Sequence, residues 1–263
     1  MPVAPYLPND VPVVYENFNG NHFEEFQYDR PRIDSIESSS RYDRDGSGEA
    51  VKINLRASDR DIHNSRRAEL QLNAETGEFQ QGDRAWFGFS VLVPDGYETD
   101  PSFEIIFQLH SFPDEHLGEE WRSPPIALKI QDGGFHLHHQ YDRSALTLNN
   151  TPEDKIRHHI GSVEYEAWTD FAIDVNYRQD SGGFIHLYQN GQQVYSYTGP
   201  VGYNDVDGMF AKIGIYKPDW KYNPQRSLTT ERTLYFDAFR FARGDVESAE
   251  IDPVTIFGVF DWE

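Results

Sequence analysis

The chain has no cysteine, so no disulfide, thiol nucleophile or cysteine-ligated metal enters its design, and cysteine usage says nothing of its redox compartment. Basic residues are scarce. Only 23 Lys and Arg stand against 44 Asp and Glu, a formal charge of −21. A face that binds nucleic acid or anionic lipid needs clustered positive charge, so neither a nucleic-acid nor a membrane partner is expected. Apolar runs are short as well, none approaching the ~20 residues of a membrane span. The N-terminal Met1-Pro2-Val3-Ala4-Pro5 lacks the basic start and apolar stretch of a secretion signal. We read it as a mature form with an added Met, expected to be secreted or periplasmic. Helical periodicity is almost absent.

What the chain does have is apolar and aromatic material, 38% and 14% of residues respectively, enough for a sizeable core and too much for a disordered polyanion. It is arranged with a period of two. Ala68, Leu70 and Leu72 alternate with Arg67, Glu69 and Gln71, and Phe171, Ile173, Val175 and Tyr177 with Ala172, Asp174 and Asn176. The segments 86–93, 104–110, 126–130, 135–140, 184–189, 193–197, 210–216 and 233–241 read the same way. Turn signals separate them: Pro94-Asp95-Gly96, Asp132-Gly133-Gly134, Ser181-Gly182-Gly183 and the hairpin pair Asn190-Gly191. Ten or more such strands without intervening helices predict an all-β fold, an antiparallel β-sandwich of jelly-roll type, as one monomeric domain over residues 1–263.

Alternation also sorts polar residues onto faces. With Ala68 and Leu70 inward, Arg67, Glu69 and Gln71 point the other way; Phe107 and Leu109 leave Gln108 and His110 together; Ile213 and Ile215 leave Lys212 and Tyr216, with Gly214 between them making room. If these faces line one groove, it gathers a guanidinium, an amide, an imidazole, an ammonium and a phenol in an otherwise negative chain. Such a set suits an anionic substrate. Arg binds carboxylates in bidentate fashion, and a cation or amide beside a uronate carboxylate stabilises the enolate formed when C5 loses its proton. Imidazole is a suitable base near neutral pH, and a phenol can protonate a departing glycosidic oxygen.

The ordered set R-A-E-L, W-F-G-F-S-V-L-V-P-D, F-Q-L-H, P-P-I-A-L-K-I, the N-G hairpin, K-I-G-I-Y and L-Y-F-D, from about Tyr15 to Phe241, resembles the heparinase I-like polysaccharide lyases, and in particular the shorter glucuronan lyases of that group. The resemblance implies a jelly roll that cleaves a uronate-containing polysaccharide by β-elimination. It implies His110 as base, Tyr216 as acid with Lys212 beside it, and Arg67 and Gln108 on the uronate carboxylate. The best substrate is β-1,4-glucuronan, cleaved in endo fashion; alginate and heparin-like chains stay open. In a β-1,4-linked glucuronate the C5 hydrogen and O4 share a ring face, so Tyr216 alone could serve both transfers. In an iduronate or guluronate they lie on opposite faces and His110 and Tyr216 would divide the work.

Further substrate-binding candidates are His138, and Tyr141 if a bulge breaks the alternation near its strand end. Lys217 and Tyr222, in the cationic and aromatic segment after Tyr216, suit carboxylates and sugar rings. Glu69 either joins them or orients Arg67. For metal, Glu16, Asn21 and Asp237 offer hard oxygens, and the resemblance implies a structural Ca²⁺ where the terminal strands meet; no organic cofactor is expected. The adjacent His158 and His159 point apart on a strand and read as surface, while Trp86, Trp168 and Tyr188 read as packing. Two other functions compete. A laminarinase-like hydrolase needs closely paired carboxylates, and no E-x-D-x-E run occurs. A carbohydrate-binding module would share the groove without its base and acid.

Overall fold

The computed structural model describes residues 13–244, so the Met1–Pro5 segment lies outside the described residues. In chain order the strands are β1 Val13–Glu16, β2 Phe26–Asp29, β3 Ile36–Ser39, β4 Ala50–Arg56, β5 Arg67–Leu72, β6 Arg84–Leu92, β7 Glu104–Ser111 and β8 Ile126–Gln131. They continue as β9 Gly134–Asp142, β10 Asp154–Ser162, β11 Trp168–Asn176, β12 Phe184–Gln189, β13 Gln192–Thr198, β14 Gly202–Tyr203, β15 Met209–Tyr216 and β16 Glu231–Arg243. Two sheets form. One runs β13-β12-β11-β6-β16-β4-β3 with β1 also on β16; the other, the site sheet, runs β10-β9-β8-β7-β15-β5-β2 with β14 on β9. All pairings are antiparallel except the short β14–β9 contact. The expected sandwich is the fold observed.

The core between the sheets is aromatic. Phe107 of β7 packs against Phe87 and Phe89 of β6, with ring centroids 5.5 and 5.2 Å apart, and Phe135 of β9 meets Phe171 of β11 at 5.1 Å. Each such side chain contributes roughly 1.5–3 kcal/mol by leaving water. Their burial fixes which residues of β5, β7, β9 and β15 look outward, because a slip of one residue would exchange the two faces. The stretch Asp154–Ser162, whose charges read as surface, is also a strand. It closes the sheet as an edge, and its alternately exposed polar side chains suit that position. Among the described residues no helix is long and apolar enough to cross a membrane.

Gly214 has a different reason from the one its sequence suggested. Its φ is +141°, and a Cβ there would lie 2.4 Å from the Ala68 carbonyl oxygen and 2.7 Å from the Glu69 Cα. β15 shifts register between Ile213 and Tyr216, and glycine lets its backbone press against β5 at that irregularity. It makes room for a strand rather than for a ligand. Gly214→Ala is therefore expected to cost on the order of 1–3 kcal/mol through positive φ alone, with the clash added. A thermal melt should show a loss of several degrees, and an unchanged Tm would contradict this packing.

Candidate active site

Register assembles the expected residues. Lys212 of β15 lies opposite Gln108 of β7 on one side and Gln71 of β5 on the other; Gly214 lies opposite Glu69, Tyr216 opposite Arg67, and Phe210 opposite His110. All six polar candidates thus share the outer face of three neighbouring strands.

Arg67 is the hub. Its guanidinium carbon sits 4.1 Å from the Tyr216 ring centroid, and its Nη1 donates to Glu69 Oε2 at 3.3 Å. Glu69 Oε1 in turn accepts from Gln108 Nε2 at 2.5 Å. Glu69 is buried, 1% exposed, so its part is to orient Arg67 and Gln108 from beneath, the second of the two roles open to it. Two buried atoms in this group have no partner, Arg67 Nε and Gln108 Oε1. One is a donor and the other an acceptor, because a carboxylate neighbour obliges the Gln108 amide to turn its NH₂ toward Glu69.

His110 is half-buried, with its ring stacked on Phe210 at 5.6 Å and against Trp121 at 5.3 Å. Its Nδ1 lies 2.9 Å from the Ser111 carbonyl oxygen. A carbonyl only accepts, so Nδ1 carries the proton and Nε2 keeps its lone pair. Burial above all, then the positive charges of Lys212, Arg67 and Arg122, lower its pKa to about 4. The ring is neutral where an ordinary histidine titrates. Tyr216 moves the other way: burial raises its pKa, although Arg67 opposes this, and the phenol stays protonated at neutral pH.

Lys212 occupies the expected face but is not free. Asp29 of β2 holds its ammonium at 2.6 Å, and Asp29 also meets His63 Nε2 at 2.9 Å. The pair with Lys212 keeps the Asp29 carboxyl below the usual range despite its burial. Lys212 therefore supplies field rather than an open hand, and Asp29 was not foreseen because it lies on a short strand without motif.

Two binding candidates are corrected. Lys217 is wholly buried and bonds Glu104 at 2.6 Å, Asp100 at 3.3 Å and the Ser102 carbonyl at 2.6 Å; the alternation that turns Tyr216 outward turns the next residue in. Tyr141 shares the inward side of β9 with His139, two residues before it, whose ring lies against Tyr195 and Tyr197 of the opposite sheet, and the nearby Tyr141 phenol helps raise Tyr197. No bulge breaks the β9 alternation there, since the β10–β9 register shift falls at His159 and Gly161, near the other end of the pairing. Tyr222 is 54% exposed beside Tyr216, with its hydroxyl donating to the Asn64 carbonyl at 2.7 Å. His138 is on the outer face of β9, opposite Ala127, which is opposite Gln108.

Trp121, missed by the sequence reading, stands 56% exposed at the rim beside His110. Its signal was its place in the segment 114–122 directly after F-Q-L-H. The loop is pinned because the next residue, Arg122, is buried and bonds Glu119 at 3.1 Å as well as Asp205. Asp114 joins these two carboxylates, and the Arg122 guanidinium pairs with Glu119 and Asp205. A hollow of about 540 Å³ bounded by Gln80, Leu117, Ala145 and Val206 lies behind this loop, and none of Arg67, Gln108, His110 or Tyr216 lines it.

The metal candidates separate. Asp237 gathers with Asp43 and Asp45, their carboxylate oxygens within 4.8 Å of one another. Glu16 lies outside that group and accepts from the Phe18 amide at 2.8 Å, while Asn21 accepts from the Ser38 amide at 2.9 Å. Sequence could not show that the 43–48 loop folds back on β16.

A family model described as polysaccharide lyase matches residues 15–240. The chain belongs to the polysaccharide lyases. It is an enzyme that cleaves a polysaccharide by β-elimination. Among solved structures the fold is similar to an endo-β-1,4-glucuronan lyase from the fungus Trichoderma reesei, with TM-score 0.76 and 17% identity over 91% of this chain and 98% of that one. A family 7 alginate lyase in complex with substrate (GGMG) gives TM-score 0.54 and 15% identity over 80% and 85%. Another of that family gives 0.51 and 13% over 82% and 88%. No curated protein matches the chain.

The His110 surroundings make a direct prediction. Followed by NMR, its Cε1 proton should titrate near pH 4, below the ordinary imidazole range near 6.5. A midpoint near 6.5 would mean that the ring is solvated and not held between Phe210 and Trp121.

Proposed function

We propose that this lyase cleaves β-1,4-linked glucuronan by endo-acting β-elimination, as a shorter member of the heparinase I-like group. The observation that carries the substrate is the greater likeness to the endo-β-1,4-glucuronan lyase, TM-score 0.76 against 0.54 for the alginate lyase. The site supports a uronate. Arg67 Nε, a buried donor without a partner, suits the substrate carboxylate, and Gln108 Oε1 suits a sugar hydroxyl. Arg67 and the Lys212 field then stabilise the charge that flows into the carboxylate as C5 is deprotonated.

Protonation states assign the two transfers. Because the C5 hydrogen and O4 of a glucuronate share a ring face, both transfers are made from the side of the sugar that meets the groove floor, where His110 and Tyr216 both stand: neutral His110, its Nε2 lone pair free, takes the C5 proton; the electrons left behind form the C4–C5 double bond as the C4–O4 bond breaks; Tyr216 gives its phenolic proton to O4. The products are a new chain end bearing a hydroxyl and an unsaturated uronate. Trp121 at the rim offers a ring on which a sugar stacks.

The test is ultraviolet absorbance of the unsaturated product during incubation with glucuronan, alginate, heparin, hyaluronan and pectate. Glucuronan should give the fastest rise, and Tyr216→Phe and His110→Ala should each lower kcat by about 10²–10⁴-fold. Full activity in His110→Ala would give both transfers to Tyr216. A flat trace on every polymer, with one of them retained on an affinity gel, would favour a binding module instead.

The reading includes a structural Ca²⁺ held by Asp43, Asp45 and Asp237, in place of the set drawn from sequence. The donor set fits: burial above all, then the Asp45 carboxylate, raises the Asp237 pKa to about 7, and a cation would relieve that crowding. Asp43 is already shaped by the Gly46 and Gly48 amides, which donate to it at 2.7 and 2.9 Å. Hard oxygens of this kind suit Ca²⁺, which would tie the 43–48 loop to β16 and take no part in the elimination. Added Ca²⁺ should raise Tm in the wild type and not in Asp237→Asn; equal melting with Ca²⁺ and with chelator would remove the ion from the account.

A further inference from the structure

The row that carries Gln108 does not end at the catalytic strands. Across β8, β9 and β10 the register continues from Gln108 to Ala127, from Ala127 to His138 and from His138 to Arg157; one step along, Lys129 is opposite His136 and His136 opposite His159. All these side chains share the outer face, because Leu128, Leu137 and Phe135 between them fill the core. Ala127 contributes only a methyl group, so the floor stays low between Gln108 and His138.

Charge is distributed differently here from the catalytic strands. Arg67 is paired with Glu69, Lys212 with Asp29, and Lys221 nearby with Asp61. Among the described residues neither Lys129 nor Arg157 forms an ion pair, although the chain carries a net charge of −21. Lys129 Nζ instead donates to His138 Nδ1 at 2.8 Å and lies 4.1 Å from the Phe103 ring centroid. The His136 and His159 rings are 4.8 Å apart, and Asp132 is the acidic group that acts on His136. Burial and the Arg157 charge push the Lys129 ammonium down to about 7, and the two cations together with burial push His138 down to about 3. The patch repels itself, and an anion would remove the repulsion. Because His138 Nδ1 accepts from Lys129, the neutral ring keeps its proton on Nε2, where it is a further donor.

We propose that Lys129, His138 and Arg157 form a distal subsite that grips the carboxylate of a second uronate on the bound chain, away from the bond being cleaved. Strands lie about 4.8 Å apart, so His138 is about 10 Å and Arg157 about 14 Å from Gln108. That span exceeds one sugar ring, and the subsite meets a later unit of the polymer. Arg157 suits a bidentate grip on the planar carboxylate, while Lys129, already fixed by Phe103 and His138, adds a point charge with little further ordering. The proposal rests on the reading that this face carries the elimination site. It deepens that reading by making the enzyme count charged units along the chain.

The experiment compares wild type, Arg157→Gln and the double variant Lys129→Gln/Arg157→Gln on a length series of oligomers of whichever polyuronate the wild type cleaves. The double variant should raise KM for long chains on the order of tenfold, the loss of about one charge-assisted hydrogen bond, with kcat retained. The shortest oligomers cleaved should show no such rise, and the dependence of KM on salt should weaken. Arg157 is exposed on an edge strand, so its single variant keeps the comparison valid should the double variant fold poorly. An unchanged KM on long chains, or an equal rise at every length, overturns the subsite. Retardation in gels containing glucuronan or alginate separates this from failure of the elimination reading. A wild type that makes no unsaturated product but is retarded more than the double variant keeps the subsite and removes the chemistry; equal retardation removes the subsite.

Discussion

Everything in the site depends on one face of β5, β7 and β15 being buried against the aromatic layer of the other sheet. Phe107, Leu109, Ala68, Leu70, Ile213 and Ile215 are fully enclosed, and period-two geometry then leaves their neighbours no choice of side. Arg67, Glu69, Gln108, His110, Lys212 and Tyr216 come together through hydrophobic packing rather than through mutual attraction. That matters because the group contains a guanidinium, an ammonium and a titratable imidazole, which would not cluster unaided. The close approach of β15 to β5 at Gly214 belongs to the same constraint, since it holds Tyr216 opposite Arg67 on the adjoining strand.

Beneath that face the protein matches its buried charges closely. Lys217 and Arg232 lie among Asp100 and Glu104, Arg122 between Glu119 and Asp205, and Lys212 against Asp29. A buried pair of this kind gives little net stability, but removing one partner typically costs about 3–5 kcal/mol. Their service is positional. The first set holds the segment leading into β7, the second holds the loop that presents Trp121, and the third fixes an ammonium whose charge adds to the burial that lowers the His110 pKa. On the same face Lys129 and Arg157 lack the carboxylate that Arg67, Lys212 and Lys221 each have.

Much of this was legible in the sequence, and the failures have physical causes. Alternation located β5, β7, β9 and β15 and the side to which each polar residue turned, because burial of one face imposes a pattern that survives without coordinates. The same rule, carried one residue past Tyr216, assigns Lys217 to the interior; it was overlooked there because a charged residue followed by Pro218 reads as loop. Its carboxylate partners come from residues 100 and 104, more than a hundred positions earlier, a distance at which sequence pattern is silent. Asp29 under Lys212 and Asp43 and Asp45 beside Asp237 were missed for that reason too. β10 gave a weaker signal: its inward face carries Ile156, His158 and Ile160, all only half-buried, so its apolar alternation is thin and interrupted by a histidine.

The two proton-transfer candidates show why placement and chemistry had to be read together. His110 and Tyr216 lie at opposite ends of the row, opposite Phe210 and Ile105 respectively, and between them stand Gln108, Lys212 and the Arg67 guanidinium. A substrate ring placed over that middle ground meets a base from one end, an acid from the other, and positive charge below its carboxylate. Burial acts on the two groups in opposite senses, because it disfavours whichever form is charged: it keeps the imidazole deprotonated and the phenol protonated. One desolvating environment thus prepares a base and an acid at the same pH. Arg67 reinforces the first effect and opposes the second, so it links the two groups in charge as well as in position.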